Sequence, residues 1–205
     1  MTAATTTVAE IEIPISERGP SPRKVIVGYG FWLFLLSDII LFSALFAAYA
    51  VLSGRTADGP SGVRLFHRDN VLFETGCLLL SSFTCAMMSL AVEVRRRGLM
   101  VIGAVLTLAL GASFLWLELS EFAGMIAQGA GPSRSAFLSA FFALVGMHGL
   151  HVSIGLCWLV SMVAQVFTLG WRPMVVDRLA CFSLFWHALD IVWIGVFTIV
   201  YLGAR

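Results

Sequence analysis

Five long runs of apolar residues dominate this chain and leave it few ways to fold. A bilayer's hydrocarbon core is roughly 30 Å thick, and a helix crosses it with about 20 apolar residues. The runs at about 29–52, 71–92, 99–121, 136–169 and 179–203 all reach that length. The fourth exceeds it, so that helix must tilt or protrude. No run alternates apolar and polar residues in the manner of a barrel strand. Backbone groups in lipid are satisfied only within a helix or a closed barrel. The expected fold is therefore an all-α membrane protein with five transmembrane helices. Composition agrees, because a chain of 205 residues that is 59% hydrophobic and 12% charged has more apolar surface than a soluble domain can bury.

Residues 1–27 lie outside this pattern. Glu10, Glu12 and Glu17 mix with Arg18, Arg23 and Lys24, and Pro14, Pro20 and Pro22 break any helix. The segment reads as a flexible polar tail rather than a cleaved leader, followed by a transmembrane domain over 28–205. Arg18, Arg23, Lys24, Arg95, Arg96, Arg97, Arg172 and Arg178 fall on one side of the membrane. Arg55, Arg64, Arg68, Arg134 and Arg205 fall on the other. The positive-inside rule then expects a cytoplasmic amino terminus and a periplasmic carboxyl terminus. A net charge of +1 gives no footing for nucleic acid.

Ionisable side chains inside spans are costly and normally face the bundle interior. Counted at about 1.5 Å per residue from the expected helix edges, Asp38, His148, His151, His187 and Asp190 share one layer near mid-membrane. On the fifth helix, Ser183, His187, Asp190, Thr198 and Tyr201 follow a single stripe. On the fourth, Gly146, Gly149 and Ser153 form a small face suited to close backbone approach. His148 and His151 point roughly the other way. Glu118 and Glu121, near the outer end of the third span, and Glu74, at the start of the second, are expected at the interface, where charge is cheap. Cys77, Cys85, Cys157 and Cys181 lie in apolar runs without paired or metal-type spacing and read as packing residues.

An imidazole at this depth has three uses: a hydrogen-bonded packing group, a cofactor ligand or a proton carrier. His148 and His151 share one helix and are not both axial ligands of one haem; a pairing of His148 with His187 stays open. No further carboxylate–histidine spacing completes a metal ligand set. No nucleophile–base pair or phosphate loop occurs, so no catalytic and no metal-binding residue is assigned. Asp38 is either a structural acid or a proton-carrying one.

Three stretches carry a family resemblance. "GFWLFLLSDIILFSALFAAYAVL" (Gly30 to Leu52), "GPSRSAFLSAFFALVGMHGLHVSIG" (Gly131 to Gly155) and "SLFWHALDIVWIGVFTIVYL" (Ser183 to Leu202) resemble subunit III of the haem–copper respiratory oxidases. Within that family they look most like the cytochrome bo-type ubiquinol oxidase branch. The likeness covers about residues 28–203, and "HGLHV" and "WHxxDxVW" are its most specific phrases.

The resemblance implies an accessory subunit without a redox centre, in a complex of the bacterial cytoplasmic membrane. That complex oxidises ubiquinol, reduces oxygen to water and pumps protons. Its haems and copper belong to subunit I, so this chain is expected to bind no cofactor of its own. Subunit I is the implied main contact, with subunits II and IV and membrane lipids as further partners. Relatives in cytochrome c oxidases usually have seven helices, and this chain resembles the last five. Asp38 matches a family carboxylate, usually glutamate in cytochrome c oxidases, on a helix that borders a lipid-filled cleft and has been linked to sustained proton uptake. Such a cleft has room for structural phospholipid. His148, His151, His187, Asp190 and Glu121 match family positions, with packing and cleft lining as the implied roles. The competing readings are a five-helix subunit III of a cytochrome c oxidase, an independent proton or solute transporter using Asp38, His187 and Asp190, and a stand-alone haem b protein.

Overall fold

A computed structural model describes residues 22–55 and 68–203, with only the backbone of Arg68 and Asp69. The polar tail, as far as residue 21, and the first loop at 56–67 lie outside the described residues. The described chain forms five long helices: α1 (Arg23–Leu52), α2 (Arg68–Glu93), α3 (Arg97–Ala127), α4 (Ala136–Leu169) and α5 (Pro173–Val196). A π-helical turn, Phe197–Leu202, continues α5. Each of the five is long and apolar enough to cross a membrane, and the described residues contain no strand.

The helix ends follow local chemistry and correct three of the expected edges. α1 starts at Arg23 rather than near 29, because the Pro22 carbonyl already accepts from Val25 N at 2.8 Å. Long basic side chains at a helix end reach back to the interface. α3 runs past Glu121 to Ala127 and stops where Gly129 adopts φ 76°. Pro173 opens α5 six residues before the apolar run at 179, at a position where its missing N–H is no loss. Ser135 caps α4, accepting from Leu138 N at 3.2 Å, and Gly170 ends it at φ 68°. A tight turn joins α2 to α3, with Arg95 at φ 52° and Arg96 N bonded to Ala91 O at 2.9 Å.

α2 and α3 make the most extensive helix pair, and their buried positions explain why. On α2, Val71, Glu74, Leu78, Ser81, Cys85, Met88 and Val92 are all buried, at alternating steps of three and four. On α3, Met100, Ala104, Thr107, Gly111, Phe114 and Glu118 continue the same rhythm. A 3.5-residue repeat keeps one seam facing its partner along the whole pair. Near the α2–α3 turn, a Cβ at Gly103 would stand 2.9 Å from Met88 Cβ and 3.1 Å from Met88 Cα. Further along, the Thr84 and Thr107 hydroxyls bond at 2.8 Å.

α5 docks on this hairpin through two indoles. Trp186 Nε1 donates to Ser81 Oγ and Trp193 Nε1 donates to Thr75 Oγ1, each at 3.0 Å. α4 packs against α5 and α3, and α1 lies outside them, against α4 and α5, with little contact to α2 or α3.

These close contacts fix the sign of two glycine substitutions. Gly103→Ala pushes into the Met88 backbone and lowers stability by about 1–3 kcal/mol. Gly76→Ala, with nothing within 4 Å of the new Cβ, is neutral or stabilising by up to about 1 kcal/mol. Thermal unfolding of the two variants in detergent measures the opposite shifts.

Candidate functional site

The five residues expected in one polar layer do not converge on one point. On one flank, α4 carries His151 towards α1, where His151 Nε2 lies 3.7 Å from Asp38 Oδ1. Its Nδ1 reaches back to the Met147 carbonyl at 2.8 Å. A ring nitrogen facing a carbonyl is the donor, so Nε2 turns its lone pair outwards unless the ring is doubly protonated. On the other flank, α5 carries His187 towards α2, with His187 Nδ1 2.6 Å from Ser82 Oγ and 3.9 Å from Asp190 Oδ2. Asp190 is buried, and neither of its oxygens has a hydrogen-bond partner among the described residues.

His148 sits between the two flanks and joins neither. It is fully buried, and neither ring nitrogen has a hydrogen-bond partner among the described residues. Aromatic rings surround it: Trp193 at 5.2 Å, Phe114 edge-on at 5.8 Å and Phe42 at 6.4 Å between centroids. The pairing of His148 with His187 that one haem reading needs is not the arrangement formed. The two rings keep separate company, one among aromatics and one on Ser82. Among the described residues, no group of three His, Cys, Asp or Glu is arranged to hold a metal ion.

Helix five divides its expected stripe. Asp190 and Tyr201 are buried, whereas Thr198 is exposed and His187 is partly so. Steps of three residues advance by about 300°, so alternating three-residue offsets straddle the edge of the buried face. Ser183 is half-buried, 4.0 Å from Cys85 Sγ. On α4, a Cβ at Gly149 would meet Glu118 Oε1 at 2.7 Å, and one at Gly155 would meet Trp186 at 2.9 Å. At Gly146 the nearest atom is Phe122 at 3.7 Å, an ordinary contact. The close-approach positions are therefore Gly149 and Gly155. Ser153 bonds its own helix at the Gly149 carbonyl.

The acids expected at the interface are placed differently. Glu74 and Glu118 are each only 1% exposed, and Tyr201 only 2%. None of the four oxygens of Glu74 and Glu118 has a hydrogen-bond partner among the described residues. Tyr201 donates to Glu121 Oε2 at 3.4 Å. Glu74, Glu118 and Glu121 are electrostatic neighbours, and no ion pair joins them to Lys or Arg among the described residues. A carboxyl in such a site keeps its place only with groups that satisfy it, because burying an unpaired charge is very costly. Glu74 was missed as a site residue, yet its step of three or four from Val71 and Leu78 marks it as a seam position.

Comparison with known proteins identifies the family of the chain. The family model for cytochrome c oxidase subunit III matches residues 19–204. The chain belongs to the haem–copper oxidase subunit III family. It is 52% identical over 174 residues to "cytochrome bo(3) ubiquinol oxidase subunit 3" of Pseudomonas aeruginosa, covering 85% of this chain and 83% of that protein. It is 46% identical over 176 residues to "quinol oxidase subunit 3" of Bacillus subtilis, covering 84% and 85%. Five apolar helices in a member of this family make it a multi-pass protein of the bacterial inner membrane.

The Trp193–Thr75 hydrogen bond ties the aromatic wall around His148 to the residue beside Glu74. Trp193→Phe and Thr75→Val each lower stability by about 1 kcal/mol or more. The double variant falls short of their sum by at least about 0.5 kcal/mol. Thermal unfolding of the three variants in detergent checks this coupling.

Proposed function

We propose that the chain is the accessory, non-catalytic subunit III of a proton-pumping terminal ubiquinol oxidase. The likeness to the Pseudomonas aeruginosa subunit over most of both chains carries this reading, and the quinol-oxidase naming of the Bacillus subtilis relative supports it. In it the haems and copper lie in subunit I, and this chain braces that core with subunits II and IV as neighbours. Its amino terminus is cytoplasmic and its carboxyl terminus periplasmic. The cytochrome c oxidase alternative is not favoured by these names.

Within this role, the Asp38–His151 pair modulates rather than performs chemistry. Asp38 is 19% and His151 13% exposed by side chain, on the flank where α1 packs against α4. That flank suits a lipid-lined cleft, and Asp38 is the acid at its edge. His148, buried among rings, acts in packing.

Purification through a tag on this chain is expected to bring down haem, copper and ubiquinol oxidase activity. Removing the chain is expected to leave the haem and copper content of the core unchanged. Loss of either metal centre on its removal, or a Soret band from the isolated chain, would overturn the non-redox role. Asp38→Asn is expected to assemble normally, start at the normal rate and lose activity sooner during prolonged turnover. Complete loss of the complex would make Asp38 an assembly residue instead. Vesicles containing this chain alone are expected to stay proton-tight, and flux through them would favour a transporter.

A further inference from the structure

His187 poses a problem that the described residues do not solve. It stands at the middle of the 30-residue span Pro173–Leu202, yet its side chain is 39% exposed. Its Nδ1 is engaged by Ser82, and its Nε2 has no hydrogen-bond partner among the described residues. Facing hydrocarbon, that nitrogen would be unsatisfied at the depth where satisfaction matters most.

The surface around it has the pattern of a helix seam. Ala180, Leu184, His187, Ile191, Ile194 and Thr198 line one outward face of α5 and the π turn that continues it, at alternating steps of four and three. Ile191, next to His187, is 74% exposed. Such a repeat holds one face towards a neighbouring helix over its full length. From Ala180 to Thr198 it runs about 27 Å, close to the depth of the hydrocarbon core. Beside it on α2, Ser82, Ala86 and Ser89 are half-buried and small, so the hairpin offers a shallow shoulder where another backbone can approach.

We infer that the α2–α5 face centred on His187 docks a transmembrane helix of another oxidase subunit, which presents a hydrogen-bonding side chain to His187 Nε2 at mid-membrane. Lipid tails fit the apolar seam but give the imidazole nothing. A second copy of this chain would set His187 against itself, and the accessory-subunit reading, on which this inference rests, already supplies a different partner.

Photocrosslinking in the intact complex tests it. Benzoylphenylalanine replaces Ile191 or Leu184, with Ile40 on α1 and Trp116 on α3 as exposed controls. Adducts from positions 184 and 191 to a different oxidase polypeptide are expected. Adducts to lipid alone, or to a second copy of this chain, would sink the inference while the haem spectrum of the preparation shows the subunit reading intact. A preparation without oxidase would remove both. In parallel, His187→Leu is expected to speed loss of this chain from the detergent-solubilised complex about tenfold, and His187→Gln to restore retention. Wild-type retention of the His187→Leu chain also overturns the docking face.

Discussion

Trp186 is where four helices meet, and the rest of the bundle is arranged around accommodating it. Its indole N–H is bonded to Ser81 on α2. Its ring passes so close to α3 and α4 that a Cβ at Gly111 would stand 3.0 Å from it and one at Gly155 2.9 Å. In lipid there is little hydrophobic gain from pressing one helix on another, so association rests on close packing and interhelical hydrogen bonds. Trp186 supplies both at once. The glycines on either side of its ring remove the side chains that would hold the helices apart.

The second indole repeats the device one heptad along, with a different neighbourhood. Trp193 bonds Thr75 while its ring lies tilted beside His148 and perpendicular to Phe114, with 4.6 Å between the Trp193 and Phe114 centroids. The two tryptophans thus stitch α5 to α2 along antiparallel positions, and Ser82–His187 and Cys85–Ser183 follow the same register. This stitching is why His187 emerges at the outer edge of the α2–α5 contact and not inside it. The indoles take the buried positions, and the imidazole one residue after Trp186 is turned towards the outside.

Number, type and approximate extent of the helices were legible because lipid imposes a length and forbids other backbone forms. Pairing was not legible. Depth put Asp38, His148, His151, His187 and Asp190 in one layer, but depth carries no angular information between helices. Only the packing separates Asp38–His151 from His187–Ser82, with His148 alone between. The acids failed for another reason. Glu118 looked like the end of a span because the count stopped at Glu121, but apolar residues after it let α3 continue to Ala127. The heptad positions of Glu74 and Glu118 were present in the sequence, and they outrank charge as a guide to which way a side chain faces.

A subunit of this kind has two sorts of polar group inside the membrane, distinguished by where their unmet hydrogen bonds point. Those of Glu74, Glu118 and His148 point inward, into a seam where the surrounding helices are already in contact, so any group that meets them must be small enough to share that space. The free nitrogen of His187 points outward, beside a helix-length apolar repeat, and none of the described residues meets it. A membrane protein that folded to function alone would have little reason to keep the second sort. Its presence fits a chain whose outer surface is completed by a neighbour, as the accessory-subunit reading proposed above requires.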